Sequence, residues 1–147
     1  MPKNILIKVS GDLVKRKKVI DFIKGKATKN FVVILTGGGS DISFLLKKAG
    51  IDFKFTTAGR VIKNFHGRQL ARDVLEKKQK MLQNKFIRLS IRAVAEIPVI
   101  NLGGILCHLN GDNLAEACSV NFDETYVVTR KGRNKKLNGH NLKIIKI

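Results

Sequence analysis

Residues 4–11 read Asn-Ile-Leu-Ile-Lys-Val-Ser-Gly, and residues 31–40 read Phe-Val-Val-Ile-Leu-Thr-Gly-Gly-Gly-Ser. Each stretch is a short apolar run, rich in β-branched residues, that leads into glycine. Such runs are typical of strands buried on both faces of a parallel sheet. Glycines at the strand ends let a ligand approach the main chain closely. Together with Lys8, the two glycine turns predict a phosphate cradle made of main-chain N–H groups and one fixed positive charge.

The segments around these two strands predict helices that alternate with them. Apolar residues recur at helical spacing among lysines in residues 13–24, which predicts an amphipathic helix with a basic outer face. A second helix is expected between Ser40 or Asp41, either of which can cap it, and Gly50, which ends it. Strand, helix, strand, glycine turn and helix is the order of a βαβ unit. We therefore predict a three-layer α/β/α sandwich with a mainly parallel central sheet.

The rest of the chain adds further elements without a linker or a repeat, so one domain over residues 1–147 is expected. The expected elements are a short strand or loop (51–65), one long helix (67–96), a strand extending into a hairpin (99–109), a short helix capped by Asp112 (113–120) and a strand (125–129). The basic stretch 130–147 is expected to form a tail or a hairpin that turns at 137–142, with an edge strand at 143–147.

The charge of the chain is its unusual compositional feature. The 147 residues include 29 Lys and Arg against 11 Asp and Glu, which gives a net charge of +18. A field of this sign favours nucleotides, RNA, acidic proteins or anionic surfaces as partners. No apolar stretch approaches the roughly 18 residues of a membrane span, so no membrane insertion is expected.

The cysteines and histidines predict neither a disulfide framework nor a metal site. Cys107 and Cys118 lie in different local contexts and do not form a close metal-type pair. The three histidines are scattered along the chain. The N-terminus has no apolar core of the secretory kind. A reducing, cytoplasmic environment is therefore expected.

Several segments, in this order, resemble the amino acid kinase superfamily. They are most similar to the acetylglutamate kinases and their relatives that phosphorylate a carrier-bound aminoadipate or glutamate. The similar segments are Ile-Lys-Val-Ser-Gly (7–11), Thr-Gly-Gly-Gly-Ser-Asp-Ile (36–42), Leu-Leu-Lys-Lys-Ala-Gly-Ile-Asp-Phe-Lys-Phe (45–55), Ala-Gly-Arg-Val (58–61), Asn-Gly-Asp-Asn-Leu-Ala (110–115) and Tyr-Val-Val-Thr (126–129). No segment alone is specific, but their order and spacing extend over most of residues 4–130.

This resemblance implies an activity and a role for each matching residue. The activity would be phosphoryl transfer from ATP, with Mg²⁺, to a carboxylate of an amino-acid derivative, giving an acyl phosphate. The substrate would be a small molecule or an acidic carrier protein, and a homo-oligomer is compatible with the resemblance. Lys8 would steady the transferred phosphoryl group, and Asp112 would orient Lys8. The remaining expected site residues are Gly11, Gly37, Gly38, Gly39 and Ser40 for phosphate, Arg60 and Asn110 for the substrate, and Thr129 and Lys131 for the nucleotide.

The sequence also departs from the family pattern. The family continues from the last threonine of its strand into an acidic loop, whereas this chain continues with Arg130-Lys131-Gly132-Arg133. His108 occupies a position where a substrate-binding asparagine is expected. The chain ends at Ile147, ahead of the helices that complete the adenine pocket in the family and carry its second catalytic lysine. An amino acid kinase-like fold truncated at its nucleotide-binding end is therefore expected.

Each candidate residue has a simpler interpretation as well. Lys8 has the alternative of a solvated strand-end lysine, Asp112 of a helix cap, and Arg60 of a surface loop residue. The glycines have the alternative of ordinary turn chemistry, and Lys131 that of one charge in a basic tail. The charge also supports a second hypothesis from another class, in which a catalytically degenerate kinase fold binds RNA or a ribonucleoprotein through its basic faces.

Overall fold

The computed structural model describes residues 1–57 and 59–147 and is built around a five-stranded parallel sheet. In spatial order the strands of this sheet are β5 (Ala93–Glu96), β2 (Phe31–Thr36), β1 (Asn4–Val9), β8 (Glu124–Thr129) and β9 (Leu142–Lys146). Two antiparallel hairpins accompany it, β3 (Lys54–Thr56) with β4 (Gly59–Val61), and β6 (Val99–Leu102) with β7 (Ile105–His108). The helices are α1 (Lys17–Ala27), α2 (Ser40–Lys48), α3 (Phe65–Arg88) and α4 (Gly111–Cys118), and a 3₁₀ turn follows at Ser119–Asn121.

Helices cover both faces of the sheet, which confirms the predicted three-layer α/β/α fold. Alternate residues of β1 point to opposite faces. Ile5, Ile7 and Val9 belong to the core that includes the buried residues of α1 and the C-terminal half of α3. Leu6 faces the other way and packs with Ala115 of α4. Because both faces are covered, the central strands are mostly apolar, and Lys8 is a charged residue within β1.

The strand order places a topological switch point at the centre of the sheet. From β1 the chain crosses to β2 and then β5 on one side, and it returns to β8 and β9 on the other side of β1. All four strand pairings are parallel, so the carboxyl ends of the strands share one edge. In open α/β sheets, the crevice outside these ends at the switch point is the usual ligand site.

The long helix predicted over residues 67–96 is wrong at its C-terminal end. Helix α3 ends at Arg88, and Ser90 adopts a left-handed conformation with φ of 53°. Residues 93–96 then form β5, paired in parallel with β2. Ala93 and Ala95 are buried whereas Val94 and Glu96 are exposed, a period of two. Pairing with the edge of the sheet therefore outweighs the helical preference of this alanine-rich segment.

Of the two alternatives expected for residues 130–147, a tail and a hairpin that turns at 137–142, the hairpin is wrong. Residues 130–141 follow an irregular path, in which the His140 N–H donates to Ser119 Oγ (2.7 Å) and the Asn138 N–H donates to Glu116 Oε1 (2.7 Å). These bonds hold the segment against the end of α4. The chain then enters β9 parallel to β8, so the predicted edge strand is confirmed.

Two other elements can be compared with the expectation. Helix α1 begins at Lys17, four residues after the expected start, because residues 10–16 form a turn that buries Leu13 and Val14. The hairpin expected at residues 99–109 is present as β6–β7. Among the described residues, no helix has the length and apolarity needed to cross a membrane.

Candidate functional site

Lys8 lies near the carboxyl end of β1, paired laterally with Leu35 of β2 and Val127 of β8. The residue is only 8% exposed, which excludes the interpretation as a solvated strand-end lysine. Its Nζ lies 2.7 Å from Asp112 Oδ1. A Cβ atom at Gly111 would stand 3.0 Å from Lys8 Cε. The glycine at the start of α4 therefore makes room for the lysine stem.

Asp112 holds two lysines rather than one. Its second carboxylate oxygen accepts a hydrogen bond from Lys135, whose side chain is also largely buried. The sequence does not single out Lys135, because nothing in a basic, irregular segment distinguishes one lysine from its neighbours. Two ammonium groups around one carboxylate carry a net charge of +1 when all three groups are ionised. The cluster of Lys8, Asp112 and Lys135 is thus suited to an anion.

Burial and charge shift the pKa values of this cluster. Burial lowers the pKa of Lys8, and the nearby charge of Lys135 lowers it further, although the Asp112 carboxylate acts in the opposite direction. Burial acts to raise the pKa of Asp112, but the attraction of Lys8 and the hydrogen bond from Lys135 outweigh it and hold that pKa below its ordinary value. Asp112 is therefore ionised at neutral pH.

Asp112 is not the cap of its helix, contrary to the sequence-based expectation. The N-cap is Asn110, whose Oδ1 accepts a hydrogen bond from the Asn113 N–H (3.0 Å). Asp112 lies two residues further on, within the first turn of α4, and its carboxylate faces Lys8. Both residues are able to fill such a cap, and the two-residue shift of the helix start decides between them.

The two glycine turns pack directly against each other at the same edge of the sheet. A Cβ atom at Gly11, after β1, would lie 2.2 Å from the carbonyl oxygen of Gly37, after β2. The side chain of Ile42 occupies the space where a Cβ atom of Gly38 would lie. Gly39 adopts a φ of +60° as α2 begins. Close packing therefore requires these glycines independently of any ligand. Gly37 differs from them, because open space surrounds the position of its missing Cβ.

Asp12 connects the two glycine turns and was not anticipated from the sequence. Its Oδ1 accepts from the N–H (3.2 Å) and the hydroxyl (2.9 Å) of Ser40, at the amino end of α2. Its Oδ2 lies 3.8 Å from the guanidinium of Arg130, just after β8. Burial acts to raise the pKa of Asp12, but the Ser40 hydrogen bonds outweigh it and lower that pKa. Ser40 was expected to bind phosphate, but its N–H and hydroxyl groups already donate hydrogen bonds to the carboxylate of Asp12.

Arg60 is a structural clamp as well as a substrate candidate. Its Nη2 donates to the Gly39 carbonyl (3.2 Å) and to Ser43 Oγ (2.9 Å). The guanidinium lies 5.7 Å and 5.1 Å from the ring centroids of Phe53 and Phe55. Its Nε is buried and has no hydrogen-bond acceptor among the described residues. The interpretation as a free surface arginine is therefore wrong.

Asn110 and the β3–β4 hairpin meet at the same end of the sheet. A Cβ atom at Gly59 would stand 2.8 Å from Asn110 Cβ, and Asn113 Nδ2 donates to the Thr57 carbonyl (3.3 Å). Arg60 on the same hairpin reaches the start of α2. The hairpin thus bridges the starts of α2 and α4. Ala58, the first residue of the matching Ala-Gly-Arg-Val segment, lies outside the described residues.

Thr129 and Lys131 lie at the carboxyl edge, beside β9. Thr129 ends β8, is 2% exposed, and its carbonyl accepts from the Ile147 N–H (2.9 Å). The Lys131 N–H donates to the Ile147 carbonyl (3.2 Å). The Lys131 side chain is exposed and pairs with no carboxylate of the described residues. Lys131 therefore lies outside the Lys8–Asp112–Lys135 cluster, which Lys135 reaches instead.

Comparisons with known proteins identify the fold but no family. No protein-family model matches the chain, and no curated protein matches it in sequence. The structure of smu.665 from Streptococcus mutans UA159 matches with 16% identity and a TM-score of 0.62, over 93% of this chain and 76% of that one. N-acetylglutamate synthase from Neisseria gonorrhoeae, in a complex with coenzyme A and L-arginine, matches with 10% identity and a TM-score of 0.58, over 94% and 46%. Identities this low establish a shared fold alone.

Proposed function

We propose that this protein binds ATP at the carboxyl edge of its sheet and transfers a phosphoryl group to a carboxylate of an amino-acid derivative. The observation that carries the proposal is the buried Lys8–Asp112 pair, with its Nζ–Oδ1 distance of 2.7 Å, beside two glycine turns. An ammonium group removed from water is costly unless it serves a partner or a ligand. Its place at the switch point of a parallel sheet supports the choice of a ligand.

The chemistry requires positioning and charge neutralisation more than covalent participation of the protein. A carboxylate oxygen of the substrate attacks the γ-phosphorus, an O–P bond forms, and the bond to the bridging oxygen breaks as ADP leaves. Lys8 and Lys135 would neutralise the charge on the transferred group, and Asp112 would hold both ammonium groups in place. Arg60 and Asn110 would bind the acceptor, since both lie beside the glycine turns or the start of α4.

The residues of the site do not form a magnesium cage. Of the nearby carboxylates, Asp112 is engaged by two lysines, and Asp12 by Ser40 and Arg130. No cluster of three metal-ligating side chains occurs in the described part of the chain. Magnesium that is used in kinase chemistry is commonly held by the phosphates of the nucleotide together with waters. We therefore assign no step to a protein-bound metal.

The activity is tested by trapping the acyl phosphate with hydroxylamine, which converts it into a hydroxamate that is measured as its coloured complex with Fe³⁺. A panel of amino-acid derivatives with a free carboxylate is supplied with Mg·ATP. Lys8→Met is expected to lower the rate at least about 100-fold, as loss of a group that stabilises developing charge does. Lys24→Met, which removes an exposed lysine of α1, is the matched control. Hydroxamate formed equally by Lys8→Met and the native protein would disprove the proposed role of Lys8.

The net charge of +18 supports an acidic carrier protein as the form in which the acceptor is presented. Such a substrate would associate faster at low ionic strength. A KM for the carrier-bound substrate that rises with salt, while the KM for the free amino-acid derivative stays constant, supports this. Equal salt dependence of the two KM values would exclude an acidic carrier protein as the form in which the acceptor is presented.

A second candidate function is RNA binding through the basic loops at the same edge. The Asp12–Arg130 contact places the exposed residues of segment 130–133 near the loop that leads to the basic cluster Lys15–Arg16–Lys17–Lys18. Binding of RNA that weakens steeply with salt, together with absent nucleotide binding, would favour this function over the kinase. Aromatic residues are absent from segment 130–147, so the contact would be made with phosphates rather than by base stacking.

A further inference from the structure

An apolar groove with a basic rim lies between α2, α3 and the turn before α1, and none of its lining residues belongs to the Lys8–Asp112–Lys135 cluster. We call it the α2–α3 groove, and it encloses about 1200 Å³. Val14 and Leu82 form its buried floor. Three large apolar side chains lie open along its walls, Phe44 (69% exposed), Met81 (47%) and Ile87 (68%). Exposed apolar side chains grouped around one concavity mark an interaction site rather than ordinary surface.

The charges on the groove are strongly unequal. Lys15, Lys77, Lys85 and Arg88 line it and pair with no carboxylate of the described residues. Its two acidic residues are already engaged. Asp41 binds Lys78 (2.7 Å), and Asp73 binds Arg72 (3.1 Å). An occupant of this groove therefore meets unpaired positive charge along its rim.

The shape of the groove fits one helix. The α3 residues that line the groove fall into five adjacent pairs between Asp73 and Arg88. Successive pairs begin three or four residues apart, which places them along one side of the helix. This face is about 22 Å long, the length of a helix of about 15 residues. An amphipathic helix that inserts apolar side chains at positions i, i+3 or i+4, and i+7 is the usual occupant of such a groove.

We propose that the α2–α3 groove binds an acidic amphipathic helix of a partner protein. A second copy of this chain would bring two surfaces with the same unpaired lysines together, in a molecule of net charge +18. A flat anionic membrane would meet the rim but would not reach Val14 and Leu82 on the floor. The apolar face of an acidic amphipathic helix would contact the apolar walls, and its carboxylates would pair with the basic rim.

The test uses a fluorescein-labelled peptide of about 15 residues, with Leu and Phe at i, i+3, i+4 and i+7 and Glu elsewhere. A scrambled peptide of identical composition keeps the charge but loses the apolar face. Fluorescence anisotropy with the full-length protein is expected to show at least tenfold tighter binding of the amphipathic peptide. Amide shifts in a ¹⁵N NMR titration are expected to cluster at residues 77–88.

Variants of exposed residues separate the groove from general charge attraction. Phe44→Ala together with Ile87→Ala is expected to weaken binding at least tenfold, as loss of two apolar anchors does. Val120→Ala together with Ile105→Ala removes equally exposed apolar groups elsewhere and is expected to leave binding unchanged. Reversing two rim charges by Lys77→Glu and Lys85→Glu is expected to weaken binding and reduce its salt dependence.

Three results would overturn the proposal. The first is equal affinity for the amphipathic and the scrambled peptide, or no measurable binding of either. The second is unchanged binding by the Phe44→Ala, Ile87→Ala variant. The third is a dimer of the free protein in sedimentation that dissociates on Ile87→Glu, which would assign the groove to a second copy. None of these readouts depends on hydroxamate formation, so they are independent of the proposed kinase activity.

Discussion

Asp112 is surrounded by Lys8 and Lys135, and this arrangement determines the consequences of changing it. Asp112→Asn keeps the shape of the side chain but leaves the buried Lys8 ammonium without a counter-charge. Removal of one partner of a buried pair typically costs 3–5 kcal/mol, and the partial exposure of Asp112 favours a value of about 3 kcal/mol. The free energy of unfolding in urea measures this loss.

A double variant provides the control for this first prediction. In Lys8→Met, Asp112→Asn the isolated charge is absent, so its free energy of unfolding is expected to exceed that of Asp112→Asn alone. A double variant that is less stable than Asp112→Asn by the full effect of Lys8→Met would mean that the two residues do not interact.

Glu124, at the amino end of β8, pairs with Lys3 and Lys26 in a second group of charged side chains. Hydrogen bonds from Lys3, and then from Tyr126 and Lys26, lower the pKa of Glu124 from 4.5 to about 2. A carboxyl group with a depressed folded-state pKa stabilises the protein fully above its unfolded pKa. This stabilisation is therefore expected to decline as the pH falls from 4.5 to about 2. Glu124→Gln should flatten the decrease of Tm over this interval, and an unchanged slope would contradict the assignment.

The positions of residues were predictable from the sequence where a strand end and a local pattern coincided. Lys8 and the glycines stand directly after apolar runs, and the structure brings them to one edge. Asp12 and Lys135 were not predictable, because their contacts join segments far apart in the chain. Asp12 meets Arg130, and Lys135 meets Asp112, because β8 and β9 lie on the same side of β1 in the sheet.

At the scale of elements, the contact between the two glycine turns depends on the absence of a side chain at Gly11. Gly11→Ala would force a methyl group against the Gly37 carbonyl, 2.2 Å away, and is expected to cost at least about 2 kcal/mol. Gly25→Ala is the matched control, because nothing lies within 4 Å of its Cβ position in α1. That change is expected to stabilise the protein by about 0.5–1 kcal/mol. Thermal unfolding that shows the reverse order would contradict the close packing of the turns.

Asn110 caps α4 and is also proposed to bind the acceptor, and a pair of substitutions separates the observed role from the proposed one. Asn110→Ala removes the N-cap of α4 and is expected to cost about 1 kcal/mol. Asn110→Asp retains the capping oxygen, so its stability should remain near that of the native protein. If Asn110 also binds an anionic acceptor, Asn110→Asp should raise the KM of the hydroxamate reaction through charge repulsion. Equal KM values for Asn110→Asp and the native protein would restrict Asn110 to capping.

Element boundaries were less predictable than the elements themselves. The sequence of residues 89–96 suits a helix locally, but a strand there completes the edge of the sheet beside β2. Residues 137–142 have the composition of a turn, yet β9 finds its partner in β8. In both cases the deciding interaction is a parallel pairing with a distant strand, which a local pattern does not contain.

At the scale of the whole molecule, the α/β/α sandwich followed from the alternation of apolar runs and amphipathic segments. The convergence of strand ends at one edge is a consequence of parallel pairing and was predictable for the same reason. The activity was not predictable in this way, since one fold supports many functions. The charge of +18 is shared by the kinase and the RNA-binding hypotheses, so a direct comparison of ligands has to separate them.

Calorimetric titration with a non-hydrolysable ATP analogue and Mg²⁺ tests the central claim, that Lys8 and the glycine turns bind a phosphate group. The native protein and Lys24→Met are expected to bind the analogue with equal affinity, whereas Lys8→Met is expected to bind it at least tenfold more weakly. Binding that is absent from the native protein, or that Lys8→Met retains in full, would contradict the claim.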